Sequence, residues 1–194
     1  MIENTRLVEI FLIAMMSISI LFLIGPVTRY CEYYSFMRNL ELYVTSIEFF
    51  HQSTNCLVTA KLNLSNPSNF DHALIENIKL CLQYVGEPYE VRLPGGRWIG
   101  RPHSYLKTNW VIAANSYLKM DECYIKSRSS KELKVNFYIR GETYYNLKNY
   151  LNKTQQDIRE LTWKIIAEIK CKAPPYSPSY LTTFYLRYEL TYNQ

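Results

Sequence analysis

Residues 7–27 read LVEIFLIAMMSISILFLIGPV. Whether this stretch is a cleaved signal, a buried core helix or a membrane anchor decides where every later residue works. From Ile10 to Val27 eighteen positions run without a charge. As a helix at ~1.5 Å per residue they reach ~27 Å, just short of the ~30 Å hydrocarbon core of a bilayer. Leu7 and Val8 extend the run past Glu9, which suits the headgroup level. Gly25 and Pro26 read as its stop, because proline cannot continue the hydrogen-bond ladder and glycine favours helix ends. A cleaved signal needs a basic start and a small-x-small cut site. Here the start holds Glu3, Arg6 and Glu9, and the exit reads Ile24-Gly25-Pro26-Val27-Thr28. The stretch therefore reads as a retained anchor, with Ile10, Phe11, Leu12, Ile13, Leu21, Phe22, Leu23 and Ile24 as its anchoring residues.

Residues 1–28 are thus expected to be a transmembrane anchor, 29–39 a juxtamembrane linker, and 40–194 one folded domain. Arg6 on one flank and Arg29 and Arg38 on the other nearly tie under the positive-inside rule. Two glycosylation acceptor triplets, at Asn63 and Asn152, and five cysteines favour an extracytoplasmic domain. The net charge of +5 is mild and its basic residues are scattered, so nothing calls for nucleic acid. Cys31, Cys56, Cys81, Cys123 and Cys171 are widely spread with no C-x-x-C, so zinc spacing is absent. Their odd number leaves one over if two bridges form, and Cys31 beside the membrane is the expected spare, paired between chains or reduced; buried free thiols are the alternative.

Past the anchor the hydrophobic pattern is mostly period two. Val58, Ala60, Leu62 and Leu64 share a face, as do Ile78, Leu80, Leu82 and Tyr84, and Leu133, Val135, Phe137 and Ile139. Leu161, Trp163, Ile165, Ala167, Ile169 and Cys171 form another set, and Phe184, Leu186, Tyr188, Leu190 and Tyr192 a last one. Strict alternation marks strands with one buried and one wet face. Leu40–Phe49, Tyr89–Leu93 and Trp110–Ala114 are weaker candidates. The count predicts a mainly β, immunoglobulin- or fibronectin-like sandwich of seven or eight strands. One stretch breaks the rule: Tyr144, Leu147, Leu151, Thr154 and Ile158 recur at three and four, which predicts a short helix over 142–158 capping one end.

Two loops stand out. LPGGRWIGRPHSY, residues 93–105, is rich in glycine and proline and holds no acid. With Arg92, Arg97, Trp98, Arg101, His103 and the later Trp110 it is the candidate loop for contact with a partner or an anion. Guanidinium groups fork onto carboxylates and phosphates, and tryptophan anchors interfaces. KAPPYSPSY, residues 172–180, reads as an extended proline-rich crossing.

The segment CLVTAKLNLSNPSNFDHALIENIKLCLQYVGEPYEV, residues 56–91, resembles the late embryogenesis abundant group 2 family, also called the water-stress and hypersensitive-response (WHy) domain. The likeness lies in an alternating strand, then Asn66-Pro67, then apolar positions at Ile75, Ile78, Leu80, Leu82 and Tyr84. The later order of strand, helix, strand is similar, so the resemblance covers about Leu40 to Tyr192. The glycine- and arginine-rich loop departs from the family's compact turn. The resemblance implies a sandwich often carried on a single membrane anchor and implies no catalytic residues. Asn66-Pro67 has a purely physical reading as well: proline ends strand pairing, and asparagine before it closes a turn with its own side chain.

His51, His72 and His103 share no ligand spacing, and no phosphate-binding glycine loop, G-x-S-x-G or H-E-x-x-H occurs. Asp121-Glu122 reads as a solvated turn. No cofactor is expected. The function expected is a non-enzymatic envelope protein working through protein contacts, with lipid or apolar-ligand binding as the alternative and a Cys–His hydrolase as a third. Its expected partners are membrane lipid and other membrane or envelope proteins, in a homo- or hetero-oligomer.

Overall fold

A computed structural model describes residues 2–71, 74–93, 103–172 and 183–192, and among these residues the chain forms seven strands and two α-helices. The first helix, α1 (Ile2–Asn39), is followed by β1 (Glu41–His51), β2 (Asn55–Asn66), β3 (Leu74–Leu93), β4 (His103–Tyr124) and β5 (Ser129–Arg140). Then come α2 (Gly141–Thr154), a 3-10 turn (Ile158–Glu160), β6 (Trp163–Lys172) and β7 (Thr183–Tyr192). The strands form two antiparallel sheets, a three-stranded one in the order β1-β2-β5 and a four-stranded one in the order β4-β3-β6-β7.

The alternation explains why the sheets face one another. Val58, Ala60, Leu62 and Leu64 on β2 are fully buried, and Val135, Phe137 and Ile139 on β5 join them. Opposite lie Ile75, Ile78 and Leu82 on β3 and Ile165, Ala167, Ile169 and Cys171 on β6, again with no exposure. Side chains at i and i+2 share a face of a strand, so each strand gives the core its apolar set and water the remainder.

Each end of the sandwich has a plug. At one end the last turns of α1 insert Tyr33 and Phe36 against Phe70 and Phe184. At the other, Leu147 of α2, Ile158 and Leu161 close over Trp163, whose indole N–H donates to the Ile158 carbonyl at 3.0 Å. Gly141, at φ +57, makes the sharp turn from β5 into α2 that a side chain would strain.

Three expectations need correcting. Pro26 does not stop α1; it lies inside a continuous helix that runs to Asn39. A proline forfeits one backbone bond, and a membrane helix tolerates that. Residues 29–39 are therefore helix, and Tyr33 and Phe36 belong to the core. The second helix ends at Thr154 rather than Ile158, because Gln155 turns left-handed at φ 55. Ile158 is buried all the same, from a separate 3-10 turn held by an Asp157–Glu160 capping box.

The weaker strand candidates are parts of longer elements. Leu40–Phe49 is the body of β1, Tyr89–Leu93 ends β3, and Trp110–Ala114 lies in β4. Asp121-Glu122 sits within β4, not in a turn. The proline-rich crossing and His72 lie outside the described residues.

Candidate contact surfaces

The anchoring residues come first because their exposure is the least ordinary feature of the surface. Ile10, Phe11, Leu12, Ile13, Leu21, Phe22, Leu23 and Ile24 are all 54% exposed or more. The span from Val8 to Asn39 holds a window of mean hydropathy 2.5, none of it buried against the body. An apolar rod of this size in water would expose far more hydrophobic surface than a soluble protein tolerates. One N-terminal helix is thus long and apolar enough to cross a membrane.

The joint between this rod and the sandwich is built from aromatic rings. Tyr33 meets Phe70 at 5.4 Å and Phe184 at 5.3 Å between centroids, and Phe36 meets Phe70 at 5.9 Å. Tyr188 donates its hydroxyl proton to the Leu40 carbonyl at 2.6 Å, which ties β7 to the end of α1. Rings at such spacings add to the burial term of each side chain. Asn66 supports the joint from behind. Its amide nitrogen donates to the carbonyls of Phe70 (2.8 Å), Lys126 (3.2 Å) and Ile125 (3.4 Å). Its amide oxygen accepts from the Ser68 backbone N–H and from the Ser68 hydroxyl. So one buried side chain reaches both the 67–71 and the 125–128 loop, which are also joined at the surface by bonds from Ser127 and Arg128.

Three of the six residues of the candidate contact loop have described backbone positions, Arg92, His103 and Trp110. Arg97, Trp98 and Arg101 lie outside the described residues. Arg92 and His103 mark the paired ends of β3 and β4, with His103 opposite Leu93 and Arg92 opposite Ser104. Trp110 pairs with Val85, seven residues along β4 from His103, or roughly 24 Å at strand rise. It belongs to the outer face of the four-stranded sheet, where Lys164 Nζ lies 4.2 Å from its ring centroid. The acceptor asparagines also differ. Asn63 is in mid-strand and donates to the Tyr43 hydroxyl at 2.6 Å, whereas Asn152 is exposed on α2.

The outer face itself was not legible in the sequence. Ile112, Tyr117 and Tyr185 stand exposed on it, and a groove of about 520 Å³ runs between Lys79, Cys81, Asn115, Tyr117, Ile166 and Glu168. Alternation marks outward positions but cannot say which strands lie side by side. Next to the groove Glu76 binds both Lys170 and Lys172. Burial pushes its carboxyl up, but the two ammonium groups outweigh that and hold it below its ordinary range. A second hollow, of about 270 Å³, lies under α2 between His51, Tyr144, Leu151 and Asp157.

All five cysteines are free thiols. Burial pushes Cys56 up to about 11, against a smaller lowering by the Phe50 backbone, and pushes Cys171 up to about 12. His51 is the cross-strand neighbour of Cys56, yet the thiol has no exposure and its hydrogen bond goes to the Leu57 carbonyl. A nucleophilic thiol needs the opposite, a lowered pKa and access. Among the described residues no cluster of His, Cys, Asp and Glu could hold a metal ion.

The chain matches no protein-family model and no curated protein. Similar solved structures include a protein from Archaeoglobus fulgidus, 8% identical over 78% of this chain and 97% of that one, with a TM-score of 0.41. Another is a protein from Arabidopsis thaliana solved in solution, 11% identical over 79% of this chain and 81% of that one, with a TM-score of 0.41. A third is the ASH/PapD-like domain of human CEP192, 14% identical over 80% of this chain and 84% of that one, with a TM-score of 0.29. Likeness at this level transfers no activity, partner or site.

Proposed function

We propose that this chain is a single-pass, membrane-anchored, non-enzymatic protein of the cell envelope. Its sandwich stands on the extracytoplasmic side and makes protein–protein contacts as an accessory subunit of a membrane complex or a surface assembly. The observation that carries this reading is the continuity of α1. One helix presents an apolar, wholly exposed stretch and then, without a break, buries Tyr33 and Phe36 in the sandwich. A domain fixed so firmly to its anchor has a set position relative to the membrane, which suits a part that holds other proteins in place. The resemblance to the late embryogenesis abundant group 2 family fits the same plan and stays a proposal with it. The inaccessible Cys56 thiol supports a reading without nucleophilic chemistry. Purification of the full chain from its native membrane in mild detergent tests the contact role. Stoichiometric partners are expected; recovery of a lone monomer would count against it.

The alternative, binding of a lipid or other apolar ligand, has one feature in its favour, the hollow beneath α2 lined by Tyr144, Leu147, Leu151 and Ile158. Mass spectrometry of an organic extract of the purified protein decides it. A retained lipid supports this reading, and an empty protein removes it.

A further inference from the structure

The joint sets a height above the membrane as well as a direction. The eighteen residues from Ile10 to Val27 span ~27 Å, which places Glu9 at the headgroups of one leaflet and Val27 at the opposite face of the hydrocarbon. Tyr33 is six residues beyond Val27, so it rises ~9 Å above that edge. The headgroup layer on each side is itself ~5–8 Å deep. Tyr33 is already in the core, packed on Phe70. Phe70 is tied through Asn66 to the carbonyls of Ile125 and Lys126. The Arg128 backbone N–H donates to the Ser68 carbonyl at 3.2 Å. The tip of the turn from β4 to β5 therefore stands level with Tyr33, at the outer edge of the headgroups.

That tip is basic. Lys126 and Arg128 are exposed, and Arg128 donates its Nε–H to Asn69 Oδ1 at 3.0 Å. On the helix beside it Arg29 is exposed, with Tyr30 and Tyr34 exposed at the level where aromatic rings favour the interface. The acids of this end include Glu32, Glu41 and Asp71, with Asp121 and Glu122 of β4 five and four residues before Lys126 and Glu76 already bound by Lys170 and Lys172; Asp71 accepts the Ser127 backbone N–H. Cations held within a Debye length of ~8 Å of an anionic surface are drawn to it.

We infer that this end of the sandwich rests on the bilayer, with Lys126 and Arg128 contacting anionic lipid phosphates. The inference rests on the reading of α1 as a membrane span. It adds a second, electrostatic contact that limits tilting of the body about the Tyr33–Phe36 joint.

The test uses the full chain in nanodiscs of phosphatidylcholine alone and of phosphatidylcholine mixed with phosphatidylglycerol, read by amide hydrogen exchange. In the mixed discs exchange in the 125–131 segment slows by up to roughly thirtyfold, the size two surface-bound cations support. High salt and the K126E/R128E variant abolish the slowing, and K126R/R128K keeps it. Unchanged exchange in the β2 and β6 amides shows that each variant is folded. Equal exchange in the two lipids overturns the inference while leaving the anchor intact. Slowing that survives in K126E/R128E overturns the assignment to these residues. A chain that does not enter the discs overturns the anchor reading and the inference with it.

Discussion

Asn66 shows how much one side chain settles. It is fully buried and bonds three carbonyls, a backbone N–H and a hydroxyl. Asn66→Ala strips those carbonyls of their donor in a place water does not reach. The expected loss is about 3 kcal/mol, at the upper end for a buried polar deletion, read from the urea midpoint of the detergent-solubilised protein. Asn66-Pro67 already suggested a turn closed by the asparagine itself. The bonds to Ile125 and Lys126 were invisible, because they join residues some sixty positions apart.

The thiols and Glu76 set opposite pH limits. Cys56 and Cys171 have folded values raised to about 11 and 12, so the folded state holds their protons more tightly than the unfolded chain does. That contribution is full below the ordinary thiol range and fades as pH climbs through it toward the folded values. Glu76 is lowered, so its contribution is present above the ordinary carboxylate range and is lost as pH falls through the folded value. Stability measured against pH should therefore fall on both sides. Glu76→Gln should flatten the acid side, and an unchanged acid limb would contradict the Lys170–Glu76–Lys172 account. With a thiol reagent at mild pH, Cys31 reacts fast and Cys56, Cys123 and Cys171 react only after unfolding, as their burial requires.

Among the elements, α1 and the β3–β4 hairpin separate what pattern can and cannot tell. The apolar run of α1 was plain in the sequence, but its end was not. Pro26 and Gly25 look like a stop, and only the packing of Tyr33 and Phe36 shows why the helix continues. Phe36→Ala should cost about 3–5 kcal/mol and should open residues 28–40 to protease, since it removes the ring that seats the helix on Phe70. In β3 the alternation was read as two strands. The register shift at Gly86/Tyr89 puts an extra residue into β3 and breaks its phase, while the backbone pairing with β4 carries on to Leu93. Gly86 marks the closest approach, where an added Cβ would meet Val111 Cγ2 at 2.9 Å. Gly86→Ala should destabilise the body by about 1–2 kcal/mol by forcing that valine aside, a change readable in the same urea titration.

For the whole molecule, the two-sheet body followed from five well-patterned strands, each with an inner set that the core contains. The pairing order did not, because neighbours in a sheet are chosen by packing across long sequence distances. For the same reason the place of Trp110 was not legible: it is carried by the sheet face, beside Lys164. Orientation has its own test. In a host that glycosylates exported domains, Asn152→Gln should remove a glycan that Asn63→Gln leaves in place, because Asn152 is exposed and Asn63 is half-buried and bonded to Tyr43. An unmodified chain there would argue that the body faces the cytosol.

The lipid span itself is tested most directly by washing membranes that carry the full chain with alkaline carbonate, which strips proteins held only at the surface. The protein should stay with the pelleted bilayer, because Ile10 to Ile24 are solvated by acyl chains. Release into the wash would mean that those residues find cover elsewhere, and the tethered sandwich described above would not exist.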